Sequence, residues 1–386
     1  MLYNQRFKPQ KLKKYAKVQG GYAFKSSEYT ESGIPIVRIG DLKNNTVDIE
    51  NCVKVSNSYL DTCKNFIIKD NELLIAMTGA TVGKVAFVKN FKTHLLLNQR
   101  VGRFICDSAK IDSKYLYYVT SAQEFYNEVQ ILATGAGQPN ISPMQIENIN
   151  IPVPDSIEEQ QEIVQVLDTM SDIIRLREEC ISHAQDLIPA LFQEMFGDVI
   201  QNKKNINKIK LGKIFILSSG KFLPAKEMDE TGIYPVFGGN GINGYHNEYL
   251  FDEPKLCIGR VGVKCGCVHL TKPKSWITDN ALYINKLLKP INIIYLKEAL
   301  TQINLNQYAK RAAQPVISQS TIYNQYILEP PIELQEQFAQ KAIEIESYIK
   351  EQNEELENAK QMFQSLLHHA FTGELTHHKF GGDANG

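Results

Sequence analysis

Residues 134–142 read TGAGQPNIS, and residues 310–318 read KRAAQPVIS. A shift of 176 positions lays Gln138-Pro139-x-Ile141-Ser142 on Gln314-Pro315-x-Ile317-Ser318. The same shift lays Ile146, Asn148, Ile151 and Pro154 on Ile322, Asn324, Ile327 and Pro330. After one deletion, at a shift of 175, IEEQQEI (157–163) overlies IELQEQF (332–338), and the match runs on until Leu191 and Phe196 meet Leu366 and Phe371. A repeat of this period is a whole domain with its connector. The chain is two tandem halves.

Charge follows the same division. The net charge of the 386 residues is −1, yet residues 1–156 carry +5, 157–198 carry −8, 199–331 carry +8 and 332–386 carry −6. Two basic blocks are what a polyanion would meet. No apolar run reaches the length of a membrane span, and residues 1–17 are basic without an apolar core, so the expected location is cytoplasmic, with no membrane partner. Seven cysteines without framework spacing suit reduced thiols.

The acidic blocks carry heptads. Ile163, Met170, Arg177, Ala184 and Leu191 are spaced by seven, and so are Leu167, Ile174, Ile181, Ile188 and Met195. The second copy gives Phe338, Ile345, Gln352, Ala359, Leu366 and Ala342, Ile349, Leu356, Phe363, Ala370. Each copy has one polar member, Arg177 or Gln352, at the midpoint of its series. The pattern predicts two long helices, about 60 Å each at 1.5 Å per residue, pairing as an antiparallel coiled coil. Their midpoints would face each other as a polar layer that sets register. The alternative is two amphipathic helices, each packed on its own domain. Pro189 should kink or interrupt the first helix. The basic blocks hold short β-rich runs between Gly, Asn and Asp, closing on helical stretches near 112–130 and 290–309. The fold class is α+β: two tandem domains with mixed β-sheets and two long helices related by pseudo-two-fold symmetry.

The stretches IPIVRIGDL (34–42), NELLIAMTGATVGKVAFV (71–88) and LNQRVGRF (97–104) in the first half carry a resemblance. The second half adds YPVFGGNGINGYHNEYLFDEPKLCIGRVG (234–262) and WITDNALYI (276–284). The junction GQPNIS…IPVP…EEQQEIV and the ending ALFQEMFGD (190–198) complete it. In order and duplication the whole chain resembles the specificity subunit of Type I restriction–modification systems. That resemblance implies target-recognition domain 1 at 1–156 and a central spacer helix at 157–198. It implies target-recognition domain 2 at 199–331, a C-terminal spacer helix at 332–376 and a tail at 377–386. It also implies a non-catalytic reader of double-stranded DNA, each domain reading one half of an interrupted, asymmetric target while the helices set the gap. Two methyltransferase subunits dock on such a chain and ATP-driven restriction subunits join for cleavage, so S-adenosylmethionine and ATP belong to the partners and this chain binds no cofactor. The duplicated QPxIS would mark the turn from each recognition domain to its spacer helix.

Motifs that would make the chain an enzyme fail on context. GNGING (239–244) satisfies G-x-G-x-x-G, but Pro235 precedes it, no helical pattern follows, and the ribose-binding acid is missing. No Asn/Asp-Pro-Pro-aromatic run is present for a flipped adenine, which counts against a fused methyltransferase. The two basic blocks count against a DNA-free coiled-coil scaffold. Cys265, Cys267 and His269 alternate as on a strand, tighter than zinc spacing, and no catalytic or metal site is expected. For DNA the candidates are polar residues on Gly-flanked loops, because Arg, Lys, Asn and Gln read base edges and Lys, Ser/Thr and backbone amides hold phosphates. In the first domain these are Arg38, Thr78, Thr81, Lys84, Asn98, Gln99 and Arg100. In the second they are Lys221, Asn240, Asn243, His246, Arg260 and Lys264, with Lys310 and Arg311 ahead of the second QPxIS.

Overall fold

The structure is a computed structural model that describes residues 6–89, 91–133, 137–229, 231–310 and 315–376. Two compact units divide the chain. The first takes residues up to Leu176 and those from Leu356 on, and the second is Arg177–Glu355. Each unit thus holds one globular domain and a half of each long helix, a division that cuts across the tandem halves.

In the first unit Leu73–Ala76 lies between Val85–Phe87 and Val101–Cys106, with Ala16–Gly20 beyond, in an antiparallel sheet. A second, mixed sheet pairs Ile34–Val37 in parallel with Leu95–Leu97. The second unit repeats the plan. Leu256–Gly259 lies between Val268–Leu270 and Ala281–Leu287, with Phe215–Ser219 outside, and Tyr234–Gly238 runs parallel to Trp276–Ile277. The central runs LLIA, IPIV, LLL and LCIG are buried at every position, as strands covered on both faces require. Each domain also pairs its first strand with its last: Gln10–Lys11 with Asn150–Ile151, and Lys208–Lys210 with Tyr326–Leu328.

Helices lie where the sequence places helical stretches: Ser113–Ser121 and then Gln123–Leu132 in the first domain, and Ile293–Gln302 in the second. Asp112 and Asn292 cap the first and last of these, each side chain accepting from two backbone N–H groups of the first turn, which offsets donors the helix leaves unpaired. Tyr115 and Tyr295 are fully buried behind these caps, and their hydroxyls donate to the carbonyls of Pro152 at 3.1 Å and Leu328 at 2.8 Å.

The long helices run Ile157–Phe196 and Ile332–Thr372. Every heptad position named above is buried or half-buried. Within the second unit Arg177 meets Gln352, and Phe192 meets Phe338, so the helices run antiparallel. In the first unit Ile163 and Leu167 share a core with Leu367, Ala370 and Phe371. The helices pair with each other as the heptads predict, and their ends also pack on the domains. Phe192 and Phe196, outside the heptad seam, are fully buried against Tyr295 and Phe338, with ring centroids 5.0–5.7 Å apart. Pro189 does not interrupt its helix. Its missing N–H would have bonded the carbonyl of Gln185, and both residues are exposed, so water can take that carbonyl.

The helices start on matched glutamines. Gln160 is 1 % exposed and Gln335 is 4 % exposed. The side-chain oxygen of Gln160 accepts from Asp112 N at 2.8 Å while its amide donates to Lys110 O at 3.1 Å. Gln335 accepts from Asn292 N at 3.0 Å and donates to Pro330 O at 2.9 Å. Each amide therefore bolts a long helix to the cap of its domain helix.

The polar seam layer is built differently from a bare pair. Arg177 Nη1 donates to Gln352 Oε1 at 2.9 Å and also meets the carboxylate of Glu355. The Arg177 side chain is 31 % exposed, so it keeps much of its hydration. Replacing Arg177 and Gln352 together by Leu should leave urea-unfolding stability within about 1 kcal/mol of wild type, or raise it, because a partly solvated ion pair contributes little net. Gln160→Leu should instead cost about 1–3 kcal/mol by the same measurement, since the part-buried Asp112 N–H and Lys110 carbonyl both lose their partner.

Candidate nucleic-acid interface

The QPxIS segments dock on matched loops. Gly79 N donates to Pro139 O at 2.8 Å and Ile141 N to Met77 O at 2.9 Å. In the second domain Gly262 N donates to Pro315 O at 3.0 Å and Ile317 N to Arg260 O at 2.9 Å. Ile141 and Ile317 are buried, and Ser142 and Ser318 cap the short helices Pro143–Glu147 and Gln319–Tyr323. The motif therefore does not mark the turn into the spacer helix. A short helix and a strand come between, because its backbone is spent pairing with the loop after the central strand. Gln314 lies outside the described residues.

These loops share one geometry. Gly79 and Gly83 have φ of +77° and +85°, and Gly262 and Gly266 have +91° and +88°. The loops MTGATVGK (77–84) and RVGVKCGC (260–267) thus superpose in sequence by their glycines, at a shift of 183. Both glycine positions need the left-handed backbone that a side chain would strain.

Three loops converge beside the QPxIS segment of the first domain. Asn98 N donates to Val37 O, Met77 N to Arg100 O, and Tyr22 N to Leu97 O. The second domain repeats each bond: Thr278 N to Phe237 O, Arg260 N to Asn280 O, and Lys221 N to Ile277 O. Gly21 and Gly220 allow the approach, since a Cβ there would lie 2.0 Å from Leu97 O and 2.2 Å from Thr278 O. One backbone frame is built twice, with different side chains: Arg100 stands where Asn280 stands, Tyr22 where Lys221 stands, Thr81 where Lys264 stands.

Arg38, Thr78, Thr81, Lys84, Asn98, Gln99 and Arg100 therefore lie on one edge of the first domain, but they are not equally available. Arg38 is held by the buried Asp41, Nε to Oδ2 at 3.3 Å. The hydroxyls of Thr78 and Thr81 are buried without a hydrogen-bond partner in the protein. Asn98 is buried, and its side-chain oxygen accepts from Arg100 N at 3.2 Å. Lys84, Gln99 and Arg100 are exposed.

In the second domain Lys221, Arg260 and Lys264 are exposed at the converging loops. Arg260 Nη1 reaches Ser219 Oγ at 3.3 Å, and the Lys221 ammonium lies 5.4 Å from the Trp276 ring centroid. Lys310 is exposed and joins the edge through Val316, which bridges both Lys310 and Val261. Arg311 lies outside the described residues. Asn240, Asn243 and His246 occupy a hairpin, Tyr234–Gly238 and Gly241–His246, with the turn at Gly239 and Asn240. Asn240 and Asn243 are exposed, while His246 is half-buried, its Nδ1 2.9 Å from Glu227 O. GNGING thus folds as strand-turn-strand, so no helix N-terminus follows it to receive a phosphate.

Sequence reasoning missed Thr278, Asp279 and Asn280, the counterparts of Asn98, Gln99 and Arg100. Their signal lies in the matched backbone bonds rather than in sequence order: TDN answers NQR at a shift of 180, three residues off the shift of 183 that aligns the glycine loops. Cys257 faces His269 across an antiparallel strand pair, and burial pushes the Cys257 thiol up to about 12, the state of an inert structural cysteine. Among the described residues no three His, Cys, Asp or Glu side chains group to hold a metal ion, and no helix is long and apolar enough to cross a membrane.

The family model described as Type I restriction modification DNA specificity domain matches residues 4–183 and again 203–358. The chain is 29 % identical over 354 residues to the Type I restriction enzyme EcoprrI specificity subunit of Escherichia coli, covering 84 % of each chain. It is 22 % identical over 394 residues to the EcoKI specificity subunit of Escherichia coli strain K12, covering 89 % of this chain and 82 % of the relative. In fold it is similar to the crystal structure of the Type I restriction–modification S subunit from M. genitalium, with a TM-score of 0.62 at 16 % identity over 96 % of this chain and 98 % of that one. Two matched domains, each with the duplicated loop frame and a half of each long helix, place this chain in the Type I restriction–modification DNA specificity family.

Proposed function

We propose that each domain reads one half of a bipartite, asymmetric target in double-stranded DNA, and that the chain performs no chemistry of its own. The observation that carries this reading is the loop frame built twice with different side chains. Equal frames present equal reach toward a groove, and unequal side chains select unequal bases. An arginine suits guanine O6 and N7, and an asparagine suits adenine N6 and N7. Arg100 and Asn280, exposed at equivalent positions, are the first contacts to test. The surrounding Lys84, Lys221, Lys264 and Lys310 would hold phosphates and fix position without reading sequence.

In this reading the long helices set the gap between half-sites and dock two methyltransferase subunits, with restriction subunits joining for cleavage. S-adenosylmethionine and ATP are held by those partners. The half-sites lie about one helical turn apart if they face the same side of the duplex.

Methylome sequencing of the host with and without this gene tests the reading. Loss of one bipartite adenine motif is the expected result, and an unchanged methylome in a host that expresses the partner subunits would overturn it. In the reconstituted complex, Arg100→Ala should weaken binding by about 1–3 kcal/mol and relax one half-site only, and Asn280→Ala should do the same for the other. Relaxation of both halves by either change would refute independent reading.

A further inference from the structure

In the second domain the loop tip carries a feature that no cation explains. Val263 is 84 % exposed, on a segment whose other side chains pack or carry charge. Its position is not loose. Gly262 N is held by Pro315 O at 3.0 Å, and Cys265 N closes the turn on Gly262 O at 2.9 Å. The side-chain amide of Asn306 donates to the carbonyl of Val263 at 3.0 Å and to that of Cys265 at 2.8 Å. A β-branched side chain with few rotamers is thus held out into solvent by a clamped backbone.

The surroundings name the occupant. Arg260 and Lys264 lie on either side of the valine in sequence and are exposed, and Lys310 is bridged to Val316, which is bridged in turn to Val261. Asp279, half-buried beside Asn280, is the acid on this edge. An apolar knob within a cationic rim fits a polyanion with an apolar group recessed in it. The major groove of DNA offers one such group, the C5-methyl of thymine, which stands beside acceptors and donors that a valine cannot satisfy. The first domain repeats the device on a smaller scale: Ala80, exposed, follows Gly79 as Val263 follows Gly262.

We infer that Val263 is a specificity-determining residue that reads a thymine methyl in the half-site of the second domain, with Ala80 at the equivalent place in the first. This rests on the DNA-reading function proposed above and goes beyond it by naming a base and the group on it. The contact would bury the isopropyl group against the methyl and exclude water from both, so it discriminates thymine from cytosine, which lacks that methyl.

The test uses the full chain assembled with its methyltransferase subunits on the target defined by the methylome. Each thymine in the second half-site, on either strand, is replaced in turn by deoxyuridine, which keeps every hydrogen-bonding group and lacks the methyl. One position should weaken binding of the wild-type complex about fourfold, the value of one buried methyl-sized group. Val263→Ser should bind the thymine and deoxyuridine duplexes equally at that position, and Val263→Ile should keep the preference. The site is exposed, so neither change should alter the unfolding midpoint. A second half-site with no thymine on either strand overturns the inference, and so does a deoxyuridine penalty that Val263→Ser leaves in place. Sequence-specific binding with no deoxyuridine-sensitive position overturns this inference alone. Binding that ignores base changes in that half-site altogether sinks the DNA-reading function as well.

Discussion

Two buried glutamine amides set the direction in which each long helix leaves its domain. Gln160 and Gln335 each accept from the backbone N–H of a helix cap and donate to a backbone carbonyl in the same domain. A primary amide offers a donor and an acceptor a fixed distance apart, so the two bonds of Gln160 to Asp112 N and Lys110 O form together only for one orientation of the helix. Gln335 ties the Pro330 lead-in of its own helix to Asn292 N. Water cannot replace them at a site this enclosed, and a buried amide without partners is costly. Apolar packing comes with them: Phe192 and Phe196 at the end of one long helix and Phe338 at the start of the other enclose Tyr295, and Tyr115 packs edge-on against Phe371. Hydrophobic burial supplies most of the energy and the amides supply the angle.

A specificity protein needs that division. If the loop side chains read DNA as proposed, they can differ between the two domains while the frame that holds them stays constant. Here the frame is made almost entirely of backbone bonds, Met77 to Arg100 and Arg260 to Asn280 among them, together with glycines at close approaches. Backbone bonds do not depend on which side chain stands above them. Arg100 can become asparagine, and Ala80 can become valine, without a change in the path of the chain.

The polar layer between the helices has a matching logic. Arg177 bonds both Gln352 and the Glu355 carboxylate, and the three groups remain partly hydrated. Its value is therefore small in stability and larger in register, because a slide by one heptad would leave a guanidinium against apolar side chains.

The duplication, the tandem domains, the two long helices and their seam were all legible in the residues, since a repeat and a seven-residue period are properties of order along the chain. The candidate edges were legible only in part. Gly-flanked polar loops pointed to segments that the fold brings together, but side-chain availability depends on neighbours far away in sequence. Asp41 takes up Arg38, the turn takes up Asn98, and the hydroxyls of Thr78 and Thr81 are buried. Pro189 leaves its helix uninterrupted because solvent, which the sequence does not display, can satisfy the carbonyl it leaves free. The sequence by itself determined the two-fold plan and the chemistry on hand. Tertiary structure alone decided which polar groups were already spent, where QPxIS docks, and that Thr278–Asn280 answers Asn98–Arg100, because each depends on hydrogen bonds between strands that the chain keeps apart.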